Sequence, residues 1–111
     1  MRVTSSLWVG AYLRRCQAEG AVATLAHRGA EQAGAIFIIV DRLTGTADLY
    51  GPAPQSSFSE SRPSDRLFQR LMENATLEAV TARLGREAIF DPDLWIVAIE
   101  DRDARVFFDA V

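Results

Sequence analysis

The sequence predicts an α+β domain built on a single antiparallel or mixed sheet of five to six strands with two main helices. Three observations carry that prediction. The run Ala35-Ile36-Phe37-Ile38-Ile39-Val40 is apolar at every position, which on a period-2 element puts oily side chains on both faces of a sheet. Leu94-Trp95-Ile96-Val97-Ala98-Ile99 repeats the pattern. Residues 7–19 and 76–90 carry apolar side chains at helical spacing and supply the cover that two such strands need. The chain of 111 residues has room for one core and is read as one domain, residues 1–111.

The first element is a helix over 7–19, with Leu7, Trp8, Ala11, Tyr12 and Cys16 on its apolar side. Ser5 or Ser6 is suited to accept a backbone N–H as N-cap, and Gly20 to follow as the left-handed residue that ends the helix. Residues 22–28 read as a short strand, closed by the turn-forming stretch from Gly29 to Gly34. The central strand spans 36–42, and 46–50 returns beside it through Leu43-Thr44-Gly45, where Gly45 can take a positive φ. The simplest arrangement of these three strands is an antiparallel meander. Gly51-Pro52-Ala53-Pro54 stops the third strand, and the serine-rich stretch 55–64 is a loop by composition.

Residues 66–73 fit either helix or strand, and a strand leading straight into the next helix is the reading adopted. Thr76 caps that helix, with Leu77, Val80, Leu84 and Ala88 along one face. Asp91-Pro92-Asp93 ends it, because Pro disfavours helical geometry at the preceding residue. The strand over 94–99 is apolar on both faces and hence central. Asp101-Arg102-Asp103-Ala104 is a turn, and Val106-Phe107-Phe108 returns as a last short strand. Helices on one sheet face would leave the other to be buried against another chain, which motivates a homodimer; helices on opposite faces are the equal alternative.

Composition excludes more than it assigns. The net charge is −3, and all 12 basic residues are arginine, spread from Arg2 to Arg105. That scatter fits the codon bias of a GC-rich genome and provides no basic stripe for nucleic acid. A single cysteine, Cys16, and a single histidine, His27, exclude an internal disulfide and a Cys-based zinc site. No stretch approaches the ~20 apolar residues of a membrane span, and no leader pattern is visible. The expected location is the cytoplasm, with no cofactor, no membrane and no nucleic-acid partner.

From Leu7-Trp8 through Arg14-Arg15, Arg28-Gly29, Gly34-Ala35, Gly51-Pro52, Phe90-Asp91-Pro92-Asp93-Leu94-Trp95 and Glu100-Asp101-Arg102, the chain resembles a family of small bacterial proteins known as domain of unknown function 1491. The likeness spans nearly the whole chain and is most specific in the Phe-Asp-Pro-Asp-Leu-Trp segment. It implies a small cytoplasmic α+β protein and supplies no activity. Ala104 stands where the family pattern more often carries Gly.

No catalytic set emerges from the residues. Cys16 and His27 are the one nucleophile–base combination, and Cys16 reads as core while His27 reads as a surface residue at a strand end. The acidic residues Asp91 and Asp93 lie at one end of the 94–99 strand, and Glu100, Asp101 and Asp103 at the other, roughly 20 Å away. They cannot form one acid–base pair. Two functions therefore compete. The leading one is a non-enzymatic interaction module that binds a protein partner or itself through a sheet face or edge. The alternative is a small-anion or small-molecule binding protein or enzyme, with Arg14, Arg15 and Arg28 converging near Glu100 and Asp101.

Overall fold

The computed structural model describes residues 3–54, 66–108 and 110. The expected serine-rich loop over 55–64 lies outside them. The elements run α1 (Ser5–Ala18), β1 (Val22–His27), β2 (Ile36–Asp41), β3 (Thr46–Pro52), β4 (Phe68–Thr76), α2 (Leu77–Phe90) and β5 (Trp95–Glu100). They form an α+β fold with two helices and one five-stranded mixed sheet in the order β1-β5-β2-β3-β4. Residues 66–73 fall largely in β4, the strand expected to lead directly into a helix.

The meander expected for the first three strands does not form. β5 sits between β1 and β2, antiparallel to the first and parallel to the second, and only β2 and β3 are joined as a hairpin. Burial explains the order. Trp95, Val97 and Ile99 of β5 are buried and Ile96 and Ala98 are half-buried, so this strand belongs inside the sheet. β1 leaves Val22, Thr24 and Ala26 exposed, which suits an edge. The register also fixes two ends. β2, β4 and β5 begin at what we call the lower end, and β1 begins and β2 and β5 finish at the upper end.

α1 starts two residues earlier than expected. Thr4 is its N-cap, its hydroxyl accepting the Leu7 N–H at 3.2 Å, while Ser5 turns inward and donates to the Gly34 carbonyl at 3.0 Å. At the other end Gly20 (φ 88°) follows the C-cap Glu19. The Gly20 N–H reaches Gln17 O and the Ala21 N–H reaches Cys16 O, the pairing that closes a helix with a left-handed residue. The buried stripe Ser5, Val9, Tyr12, Cys16 lies over the β1–β5–β2 half of one face. α2 is capped by Thr76, whose hydroxyl accepts the Ala79 N–H, and buries Val80 and Leu84 against the opposite face over β3 and β4.

The helices therefore cover opposite faces, and the premise of one wholly bare face falls. The last expected strand is also absent. Residues 106–108 fold across the α1 face instead, and beyond them only an isolated bridge joins Ala110 to Phe68. Tyr12 donates to the Val106 carbonyl at 2.6 Å, and Phe108 packs against Tyr12, Tyr50 and Phe68. Burying an aromatic side chain takes 150–250 Å² out of water, which favours this docking over a short ladder at the sheet rim.

Candidate functional site

The motif-rich segments meet at the lower end. Because β5 enters between β1 and β2, the connection over 28–35 has to arch around the start of β5. The contacts there form a clasp. The Ala30 N–H donates to Asp93 O, and the Trp95 N–H donates to Ala35 O. One Asp91 carboxylate oxygen accepts the Ala35 N–H at 2.8 Å and the other accepts the Asp93 N–H at 3.0 Å. The Trp95 indole N–H is shared between the carbonyls of Ala30 and Ala33, at 2.9 and 3.2 Å. Gly29 and Gly34 press on the same backbone: a Cβ at either would fall 2.1 Å from Asp93 O. Every polar group of the Asp-Pro-Asp-Leu-Trp segment named here is spent on holding this loop.

Arg28 completes the clasp from outside, its guanidinium carbon 5.4 Å from the Trp95 ring centroid, in reach of a cation–π contact. His27 sits beside it with Nδ1 3.1 Å from Leu94 O, so that nitrogen carries the proton in the neutral ring.

The other candidate site residues lie elsewhere. Arg14 and Arg15 are exposed in the second half of α1, which climbs from Gly34 at the lower end toward β1's start at the upper end. Arg28 is separated from Glu100 by the length of β1, about 20 Å, since Glu100 pairs with Val22 at the far end. Glu100 is exposed. Asp101 is buried and engaged by Arg105: the guanidinium donates at 2.7 Å to one oxygen, and the Arg105 backbone N–H donates at 2.8 Å to the other. Those bonds hold the Asp101 carboxyl below the usual carboxylate range. The five residues thus divide between the two ends of the sheet.

A second arginine–carboxylate pair, absent from the sequence reading, stands at the same upper end. Asp48 is 1% exposed and accepts from Arg42 Nε at 3.1 Å, Arg42 Nη2 at 2.9 Å and the Asn74 N–H at 2.7 Å. This hydrogen bonding to Asp48 pushes the Arg42 guanidinium pKa up. Asn74 has φ 50° and lies where the β3–β4 register shifts, so the carboxylate secures a bulge. The available signal was a lone carboxylate between Ala47 and Leu49 in an otherwise apolar strand.

Cys16 is fully buried, and burial pushes its thiol pKa up. It pairs with Tyr12 rather than with His27, which lies exposed at the opposite end of β1. Among the described residues no group of three His, Cys, Asp or Glu side chains is placed to hold a metal ion. A cavity of about 230 Å³ opens at the lower end between Ala35, Pro52, Ala53, Arg66 and Phe68; Arg66 there donates to Val3 O and Ser5 Oγ.

Residues 3–109 match the family described as protein of unknown function (DUF1491). The chain belongs to this family. Solved structures agree with it over the full fold. A DUF1491 family protein from Caulobacter crescentus CB15 is 35% identical in a crystal structure, with 100% of this chain and 99% of that one covered and a TM-score of 0.80. An NMR structure of a DUF1491 family protein from the same bacterium is 34% identical, with 100% and 98% covered and a TM-score of 0.79. Protein Atu0922 from A. tumefaciens is 41% identical over 91% of this chain and 87% of its own, at a TM-score of 0.79. No curated protein matches. In this DUF1491 chain the Phe90–Trp95 segment, from which the resemblance was read, forms part of the clasp.

The second sheet face carries the remaining feature. α2 packs on β3 and β4, so among the described residues the β1–β5 half beside it has no helix above it. Val22 is 57% exposed there, and at the end of α2 Ile89 and Phe90 are 78% and 86% exposed. The sequence held a signal for them: both fall off the 80–84–88 stripe, immediately before the Asp-Pro stop. Among the described residues no helix is long and apolar enough to cross a membrane.

Proposed function

We propose that the protein is a small cytoplasmic, non-enzymatic interaction module, which binds a protein partner or itself through the bare half of its second sheet face. One observation carries the reading: Ile89 and Phe90, the two most exposed large apolar side chains among the described residues, stand at the end of the helix that packs on β3 and β4 and leaves the β1–β5 half-face without helical cover among those residues. Exposed apolar surface on a small domain marks a contact site, and aromatic anchors dominate contact energies. The Asp91 carboxylate and the Trp95 indole of the family motif are bound in the clasp, and Asp93 is exposed beside it. The location is supported by cysteine usage, a single buried Cys16 with no second cysteine to form an internal disulfide.

The small-anion alternative, built on Arg14, Arg15, Arg28, Glu100 and Asp101, has weaker support because those residues are divided between the sheet ends. The test is a pull-down of the tagged protein from its own cells, beside an Ile89→Asp/Phe90→Asp variant of equal thermal stability. A stoichiometric partner captured by the wild type and lost from the variant is the expected result. Equal capture by both, or none by either, sinks the reading.

A further inference from the structure

The two edge strands of the sheet differ in how they are guarded. β4 carries Gln69, Arg70, Glu73 and Asn74, two register shifts against β3 and the bridge to Ala110. Charges and irregularities of that kind keep an edge from pairing with another chain. β1, Val-Ala-Thr-Leu-Ala-His, has no Lys, Arg, Asp, Glu or Pro in its six residues. Its irregularity is confined to the last step, between Leu25 and His27.

The directions of its backbone groups follow from the neighbouring bonds. The Trp95 N–H points to Ala35 and the Asp101 N–H to Asp41, both toward β2. Alternation along β5 then turns Ile96, Ala98 and Glu100 toward β1. Their register partners Val22 and Thr24 bond inward, which turns the N–H and C=O of Ala23 and Leu25 outward. The Gln17 amide lies 3.5 Å from the Ala23 carbonyl, in agreement with that direction and at the limit of a hydrogen bond.

We propose that β1 pairs antiparallel with β1 of a second copy about a twofold axis at Thr24, joining the two sheets into one of ten strands. This deepens the interaction-module reading by naming one partner, the chain itself. In that register Ala23 and Leu25′ exchange both backbone bonds, and the twofold doubles them. Thr24 faces Thr24′, a favourable cross-strand pair, and Val22 faces Ala26′. No charge meets another, as an isologous contact requires of a self-complementary patch.

α1 permits the approach. Trp8 lies against Phe68 on the β4 side of the helix. The opposite flank, above β1, carries Ser6, Gly10, Leu13 and Gln17 at helical spacing, small or uncharged residues, with the Arg14 guanidinium reaching beside Gly10. On the second face the pairing joins two bare half-sheets into one floor, with an α2 helix along each side.

So short an edge predicts a dimer in the micromolar range. Sedimentation equilibrium of the purified chain from about 10 to 500 μM, with amide hydrogen exchange at both extremes, reads it directly. The expected result is a monomer–dimer equilibrium in which the Ala23 and Leu25 amides gain protection with concentration while Thr24 is protected throughout. Thr24→Arg, on an exposed position, places like charges on the twofold and is expected to weaken the dimer at least about tenfold without lowering Tm. A chain that stays at 12 kDa across the range overturns the proposal. So does a dimer that Thr24→Arg leaves intact and Phe90→Asp splits. Neither result bears on capture of a different partner by Ile89 and Phe90, so the two readings fail separately.

Discussion

The two ends of the sheet are held by different physics. At the lower end the 28–35 loop is locked around β5 by steric fit and by backbone carbonyls: Gly29 and Gly34 against Asp93 O, and the Trp95 indole between two carbonyls. At the upper end two arginine–carboxylate pairs, Arg42–Asp48 and Arg105–Asp101, close the β2–β3 and post-β5 turns. A fitted clasp is intolerant of added volume and indifferent to charge. A charge-held turn tolerates volume and depends on protonation.

The contrast is broken most severely by Gly29→Ala. The new methyl group would lie 2.1 Å from one backbone oxygen and 2.6 Å from another, and no flexible side chain is there to give way. We expect a loss of about 3 kcal/mol or more, seen as a fall in Tm of more than about 10 °C by calorimetry. A change within about 2 °C would mean the clasp is loose.

Asp48→Ala is next. It removes the acceptor of the Asn74 N–H and of two Arg42 bonds at a site 1% exposed. The expected loss is about 2 kcal/mol by urea denaturation, and an unchanged midpoint would remove the bulge-securing role.

A third comparison uses acid. The folded-state pKa of Asp101 is depressed, so its contribution is present above the unfolded value near ~3.9 and is lost as pH falls through the folded one. The Tm gap between wild type and Asp101→Asn should be constant from pH 7 to about 5 and shrink progressively as pH falls below about 4. A gap as wide at pH 2.5 as at pH 5 would contradict an electrostatic role.

The smallest effect is a gain. Ala104, in the same upper turn, has φ 56°, which costs a side chain roughly 1–2 kcal/mol that glycine avoids. Its methyl group is half-buried against the core, and the two effects oppose. Ala104→Gly should raise Tm by a few degrees; a fall would show that packing outweighs strain.

Elements were more legible in the sequence than their neighbours in space. Thr76, Gly20 and Gly45 act locally, and each took the role its chemistry predicts. The doubly apolar runs correctly marked β2 and β5 as interior strands. Which strand lies between which is set by long-range pairing, so the insertion of β5 beside β1 escaped a reading that joined sequential strands. Val106 to Phe108 failed for a related reason: alternation cannot distinguish a strand from a segment that docks its aromatic rings on a helix. The separation of Arg28 from Arg14 and Arg15 followed from the same topology, because β1 carries Arg28 away from the end that α1 approaches. Asp91 and Asp93 were read as helix terminators, and Asp91 also fastens the 28–35 loop across the sheet.

The insertion of β5 bears on how the protein is made. Translation delivers β1, β2, β3 and β4 before the strand that must sit between the first two, so this interior strand of the sheet is synthesised after all four others. Until residues 95–100 leave the ribosome, the edge of β2 that pairs with β5 stands open beside apolar side chains, the kind of surface that aggregates or recruits chaperones. Completion is then a single late event, in which the Trp95 strand slots into place and the arch over 28–35 closes on it. A nascent chain stalled before β5 can pair β2, β3 and β4 but leaves β1 without a partner strand, so quality control has an open edge to read in an unfinished molecule.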